Sequence, residues 1–148
     1  MNTVQSVFDI AIRLMDEQNE ASGATDTADS KVYALRTPSL LNSLLDRCLP
    51  VSDTYRRSVD GSRPICPKVS AMDDQIQLDE RLCTGVLPYG LAGLLLAEED
   101  PGRADFFWQT FLEQLRWAAE GLPAVEESVE DVYGIVIEHG SFGAWTQS

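Results

Sequence analysis

The chain has 148 residues, 44% of them apolar, which suits one globular domain able to bury about two-thirds of its unfolded surface without disulfide or metal. Acids outnumber bases 24 to 11, a net charge of −13, and residues 82–148 carry 11 of those acids against 2 bases. Such a surface repels phosphate and excludes gripping nucleic acid by counterion release; no stretch approaches the roughly 18 uncharged apolar residues of a membrane span.

The acidity has two readings, plain solubility or a wall to which a polyanion does not stick. The N-terminal stretch carries Asp9 inside its apolar part and has no basic leader, so it does not read as a secretory signal. Cys48, Cys66 and Cys83 are odd in number, with no C-x-x-C pair, and suit reduced thiols, Cys48 and Cys83 as small core residues.

An all-α fold is expected, with about four main helices around a buried central one. In the first, Val4, Val7, Phe8, Ala11, Ile12, Leu14 and Met15 fall on one side of a 3.6-residue wheel, and the helix is predicted to end near Glu20. A turn-rich linker from Ala21 to Thr27 follows. The second helix, capped by Asp26 or Asp29, carries Tyr33, Leu40, Leu41, Leu44, Leu45 and Cys48 and stops at Pro50. Pro38 either kinks it or sits first in a fresh helix capped by Thr37; the kink is favoured.

Residues 50–75, with Pro50, Asp60-Gly61, Pro64, Pro67 and Asp73-Asp74, read as a long irregular loop. From Arg47 to Lys68 the chain holds Arg47, Arg56, Arg57, Arg63 and Lys68 against Asp53 and Asp60, the one locally basic stretch, either solvated or facing an acidic partner such as another copy of the chain. The third helix, from a cap at Asp79 to about Glu99, is apolar nearly all round and therefore central. Pro88 and Gly90 predict a kink inside it, and Gly90 and Gly93 allow a neighbouring backbone to approach.

Asp100-Pro101 begins the fourth helix, with Ala104, Phe107, Trp108, Phe111, Leu112, Leu115 and Ala118 as its core face and Gly121 and Pro123 as its stop. Phe106 and Trp117 lie about 180° from that face and close to three turns apart. They call for a second buried contact, either between subunits or under the C-terminal tail. A helical domain thus covers 1–122, and 123–148 reads as an extended arm. The arm holds a short β-branched strand, Val132-Tyr-Gly-Ile-Val-Ile, and the anchors Phe142 and Trp145.

The chemical inventory is negative. His139 is the one histidine and reads as an exposed polar residue, which leaves little for a metal site or a Ser-His-Asp arrangement. Cys66, between Pro64 and Pro67, has no helix N-terminus or base to lower its pKa. The glycines of Tyr89-Gly-Leu-Ala-Gly93 lie in a helix and cradle no phosphate. Asp73 to Glu80 lacks the glycine and terminal glutamate of a calcium loop. Glu98-Glu99-Asp100 reads as a solvated helix end, and paired carboxylates need a cleft to do acid–base work. No catalytic, cofactor or metal residue is assigned.

Several stretches carry a family resemblance: Tyr33 with Leu41-Asn42, Leu49-Pro-Val-Ser-Asp-Thr-Tyr55, and Ile76-Gln-Leu-Asp79 leading into Val86-Leu-Pro-Tyr-Gly-Leu-Ala92. Glu98-Glu99-Asp100, Val132-Tyr-Gly134 and Phe142-Gly-Ala-Trp145 complete them. The chain resembles the head–tail connector (adaptor or neck) proteins of tailed bacteriophages and prophages. The resemblance implies a mostly helical, non-enzymatic subunit without cofactor, assembling into a ring below the portal between capsid and tail. Its partners would be its own copies, the portal protein and tail-side connector proteins, with double-stranded DNA passing through without specific binding and no membrane. Its place would be the host bacterium's cytoplasm during assembly and then the virion neck.

Arg56, Arg57, Arg63, Phe106, Trp117, Phe142 and Trp145 are the candidate subunit contacts. The basic loop of one copy meeting the acidic third of the next would close a heterologous ring. Two other classes stay open. An acidic helical regulator or DNA mimic would bind a basic nucleic-acid-binding protein. A small enzyme would need a carboxyl of raised pKa inside a pocket.

Overall fold

Thr3 opens helix α1 (Val4–Leu14) with a reciprocal cap, its hydroxyl accepting from Ser6 N–H at 3.2 Å and its own N–H donating to the Ser6 hydroxyl at 3.1 Å. The computed structural model describes residues 2–16, 30–53, 55 and 59–120. Val4, Val7, Phe8, Ala11 and Ile12 form the expected buried side of α1. The helix ends at Leu14, short of Glu20, because Asp16 takes a left-handed φ of 61° and its N–H turns back to the Arg13 carbonyl. The expected linker and the caps Asp26 and Asp29 lie outside the described residues.

Helix α2 (Ser30–Cys48) runs unbroken through Pro38, so no fresh helix starts there. Proline leaves the carbonyl one turn back without its helical donor; in the same turn the buried Thr37 hydroxyl donates to the Tyr33 carbonyl at 2.8 Å. A 3-10 turn, Leu49–Val51, follows at Pro50.

From Ser52 to Asp79 the described residues form no helix and one isolated bridge, Thr3 with Gln75, yet this loop is not simply solvated. Cys66, Val69, Ile76 and Leu78 are buried in the core. Asn42 clamps Val69 from both sides, its amide donating to the Val69 carbonyl and its carbonyl accepting the Val69 N–H, each at 2.8 Å. The carbonyls of Asp74 and Met72 accept the N–H groups of Val4 and Gln5, two donors that the first turn of α1 leaves without a helical partner.

The expected third helix is two helices, α3 (Glu80–Gly85) and α4 (Leu87–Leu96), separated at Val86 with φ −123° and ψ −58°. The break comes two residues ahead of Pro88, which has no N–H to donate and whose ring clashes with the carbonyl four residues back in a continuous helix. Pro88 thus sits in the first turn of a new helix, with no kink inside a long one. Asp79 precedes α3 in extended conformation but makes no side-chain cap; its carboxylate accepts the Ser52 hydroxyl at 2.6 Å.

Helix α4 is the centre of the fold and packs against α1, α2, α3 and α5. A Cβ on Gly90 would meet the Phe111 ring at 2.9 Å, and one on Gly93 would meet the Ala104 carbonyl oxygen and the Trp108 nitrogen at 3.2 Å, so both glycines admit helix α5 (Pro101–Glu120). Asp100 caps α5 through Arg103 N–H at 3.2 Å. Ala104, Phe107, Phe111 and Ala118 bury themselves as expected, whereas Leu112 is 39% exposed and belongs to the outer surface. The stop at Gly121 and Pro123 and the arm with its strand fall outside the described residues. No helix among the described residues is long and apolar enough to cross a membrane.

Candidate assembly surface

The side of α5 turned away from α4 carries two aromatic rings in water. Phe106 is 65% and Trp117 57% exposed, and Leu112 lies on the same helix. Eleven residues at 1.5 Å each set the two aromatics roughly 16 Å apart along the axis. Phe106 leans edge-on against Phe107, with ring centroids 5.6 Å apart. If a contact buried roughly another 100 Å² of each ring, the gross gain at about 25 cal/mol per Å² would be about 5 kcal/mol. That is enough to anchor an interface. Val32 and Leu35 in the first turns of α2, and Val59 and Ile65 in the loop, are also exposed, and sequence reasoning singled out none of them. In α2 the signal was present, since Val32 and Leu35 point away from the side shared by Tyr33, Thr37 and Leu41.

Beside Trp117 an open groove of about 240 Å³ runs between α3 and α5, lined by Arg81, Gly85, Val86, Gln114, Trp117 and Ala118. Sequence reasoning missed it, because its walls come from helices whose separation at Val86 was not expected. Arg81 on its rim already faces Asp79 at 3.4 Å and Asp53 at 3.6 Å.

The basic loop keeps only part of its charge for a partner. Lys68 pairs with Asp46 at 2.6 Å, and the Arg47 guanidinium sits over the Trp108 ring, 5.5 Å from its centroid. Arg63 is exposed. Arg56, Arg57, Phe142 and Trp145 lie outside the described residues, as does His139. Of the seven candidate contacts, the structure therefore places Arg63, Phe106 and Trp117 at the surface. It puts Phe106 and Trp117 on one helix face and Arg63 on the loop.

Burial and hydrogen bonding shift the three thiols and two of the carboxyls. Burial pushes the Cys48 and Cys83 thiols up to about 12 and raises Cys66 too, with the Asp46 charge adding to it, so none is an activated thiolate. Asp46 is held below the ordinary carboxylate value by the hydrogen bond from Lys68 and, more weakly, by Cys66 N–H. Asp74 is lowered by the N–H groups of Ser70 and Ala71. Both shifts run opposite to the raised carboxyl that acid catalysis at neutral pH requires. Among the described residues, no group of three His, Cys, Asp or Glu side chains is arranged to hold a metal ion. Compared with protein families, with curated proteins and with solved structures, the chain matches none.

Proposed function

We propose that the chain is a structural subunit of the head–tail connector type from a tailed bacteriophage or prophage. It assembles with its own copies into a ring below the portal, and the ring continues the DNA channel toward the tail. The observation that carries this reading is the pair of exposed aromatics, Phe106 and Trp117, on the outer side of an α5 whose inner side is already filled. A surface apolar anchor of this kind is a liability unless another molecule covers it. The net charge of −13 supports the same role, since like charge lets a duplex slide past without sticking. A ring closes when two different faces of one subunit meet head to tail. Arg63, exposed on the loop, is opposite in sign to the acids of the last third.

Electron microscopy of the purified protein with and without a phage portal assembly tests the proposal, and rings seated on the portal are the expected result. Sedimentation of the Phe106→Ser/Trp117→Ser variant is expected to show loss of the oligomer. An oligomer distribution unchanged by that double replacement would remove the aromatics from the interface. A tight one-to-one complex with a basic DNA-binding protein, or turnover of a small molecule, would overturn the connector reading.

A further inference from the structure

Helix α2 turns a second apolar face to water. Val32 is 58% and Leu35 85% exposed, while Tyr33, Thr37 and Leu41 on the other side are buried. Lys31, also exposed, lies one turn before Leu35 on the same side. From Ser30 to Leu45 the helix carries Lys31 and Arg36 and no acid, a positive stretch in a chain of net charge −13. The Arg36 guanidinium is engaged within the subunit, donating to the Leu95 carbonyl at 3.3 Å and lying over the Tyr33 ring. Lys31 is therefore the charge this face offers.

The outer side of α5 complements it in sign. Trp117 has Glu113 one turn before it and Glu120 one turn after it, both exposed, and Arg116 is turned about 100° away. Whichever way a neighbouring helix runs, a lysine one turn from the residue that meets Trp117 can reach one of these acids. A second α5 laid on this side would instead set those carboxylates against their own copies, and like charges across a contact are costly. Leu44 of α2 and Phe111 of α5 both close on Gly90 of α4, so the outer sides of the two helices are different surfaces of one subunit. Unlike surfaces of identical copies join head to tail, and the series closes as a ring.

We infer that α2, through Val32 and Leu35 with Lys31 beside them, is the surface that receives Phe106 and Trp117 of the next copy. This pairing rests on the connector reading, which has copies meeting through α5, and adds the face they meet.

Two variants, each disabling one face at exposed positions, test the pairing by sedimentation. The wild-type chain is expected to self-associate. Val32→Gln/Leu35→Gln, which keeps good helix formers in α2, and Phe106→Ser/Trp117→Ser are each expected to be monomeric with wild-type helical circular dichroism. Mixed one to one, they are expected to form a dimer and nothing larger, because a single complementary pair of faces remains. As a milder check, Lys31→Glu is expected to weaken self-association severalfold at low salt, and Glu113→Lys/Glu120→Lys in the same chain to restore it. A wild-type chain that is monomeric at its highest soluble concentration, a face variant that associates like wild type, or a mixture without dimer would each overturn the pairing. Rings of the α2 variant on a phage portal would overturn it while leaving the connector reading standing. Head-to-tail association without rings on the portal would uphold the pairing and overturn that reading instead.

Discussion

Gly93 faces Ala104 so closely that a methyl group on it would stand 3.2 Å from the Ala104 carbonyl oxygen. The obstacle is backbone of α5, which cannot rotate aside as a side chain can. In a free helix the change from glycine to alanine gains about 1 kcal/mol. Forcing a methylene into a filled contact costs about 1–3 kcal/mol. Gly93→Ala is therefore expected to lower stability by about 1 kcal/mol, read as an earlier urea midpoint at unchanged slope. Gly90→Ala is expected to be at least as damaging, because the obstructing Phe111 ring is fully buried. A Gly93→Ala protein that unfolds later than wild type would show that α5 yields and that α4 does not set the spacing.

Asn42 holds Val69 as a strand partner would, and Val69 is 4% exposed, so water is a poor substitute. Asn42→Ala leaves a buried N–H and a buried carbonyl unpaired and is expected to cost about 2 kcal/mol. Hydrogen exchange should locate the loss, with the Val69 amide opening first. Asn42→Asp keeps an acceptor for the N–H but sets a negative charge against the Val69 carbonyl, so its deficit should shrink as the carboxylate is protonated. Equal stability of Asn42→Ala and wild type would mean that the loop is held by its apolar residues alone.

What the residues disclosed in advance follows the range over which each effect acts. The start of α5 was readable from Asp100-Pro101 because a cap and a first-turn proline are local. So were the outward placement of Phe106 and Trp117, given by helical phase, and the close approach of a neighbour at Gly90 and Gly93, though not that the neighbour is α5. The break at Val86 is also a local matter, yet the pattern around Pro88 fits a kink within a helix as well as the first turn of a new one, which is where Pro88 sits in α4. The early end of α1 turns on one left-handed residue, Asp16, which no periodicity reveals. The burial of Cys66, Val69 and Ile76 was not legible, because these residues follow no helical or alternating period. Side chains far away in the chain, Asn42 and Asp46, hold the loop in place.

Acid should release that same loop. The Asp46 and Asp74 carboxyls have folded pKa values below their ordinary 3.8, so each stabilises the fold above that value and ceases to as pH falls through its lowered pKa. Asp46 fastens Lys68 and Cys66 N–H, and Asp74 fastens the turn Ser70–Ala71. Both sites are exposed, so the effect is small and local. Amide exchange, corrected for its intrinsic pH dependence, is expected to lose protection at Cys66, Ser70 and Ala71 below about pH 4 while helical circular dichroism persists. Simultaneous collapse of loop and helices at that pH would place the acid-sensitive step elsewhere.

The thiols report on the same loop from within. All three are buried, and for Cys48 and Cys83 burial raises the pKa from the ordinary 9.0 to about 12. Their linkage runs the other way from that of the carboxyls. The unfolded chain loses these protons first, so stability is unaffected below about pH 9 and falls progressively up to about pH 12. At neutral pH, reaction with a thiol reagent is expected to be slow for all three and to follow opening of the structure. Cys66 lies on the loop, whereas Cys48 ends α2 and Cys83 lies within α3. Asn42→Ala should therefore expose Cys66 selectively, with mass spectrometry showing one fast label per chain while Cys48 and Cys83 keep their wild-type rates. Three equal rates in that variant would mean that loop and helices open as one unit, and the clamp on Val69 would then belong to the global fold.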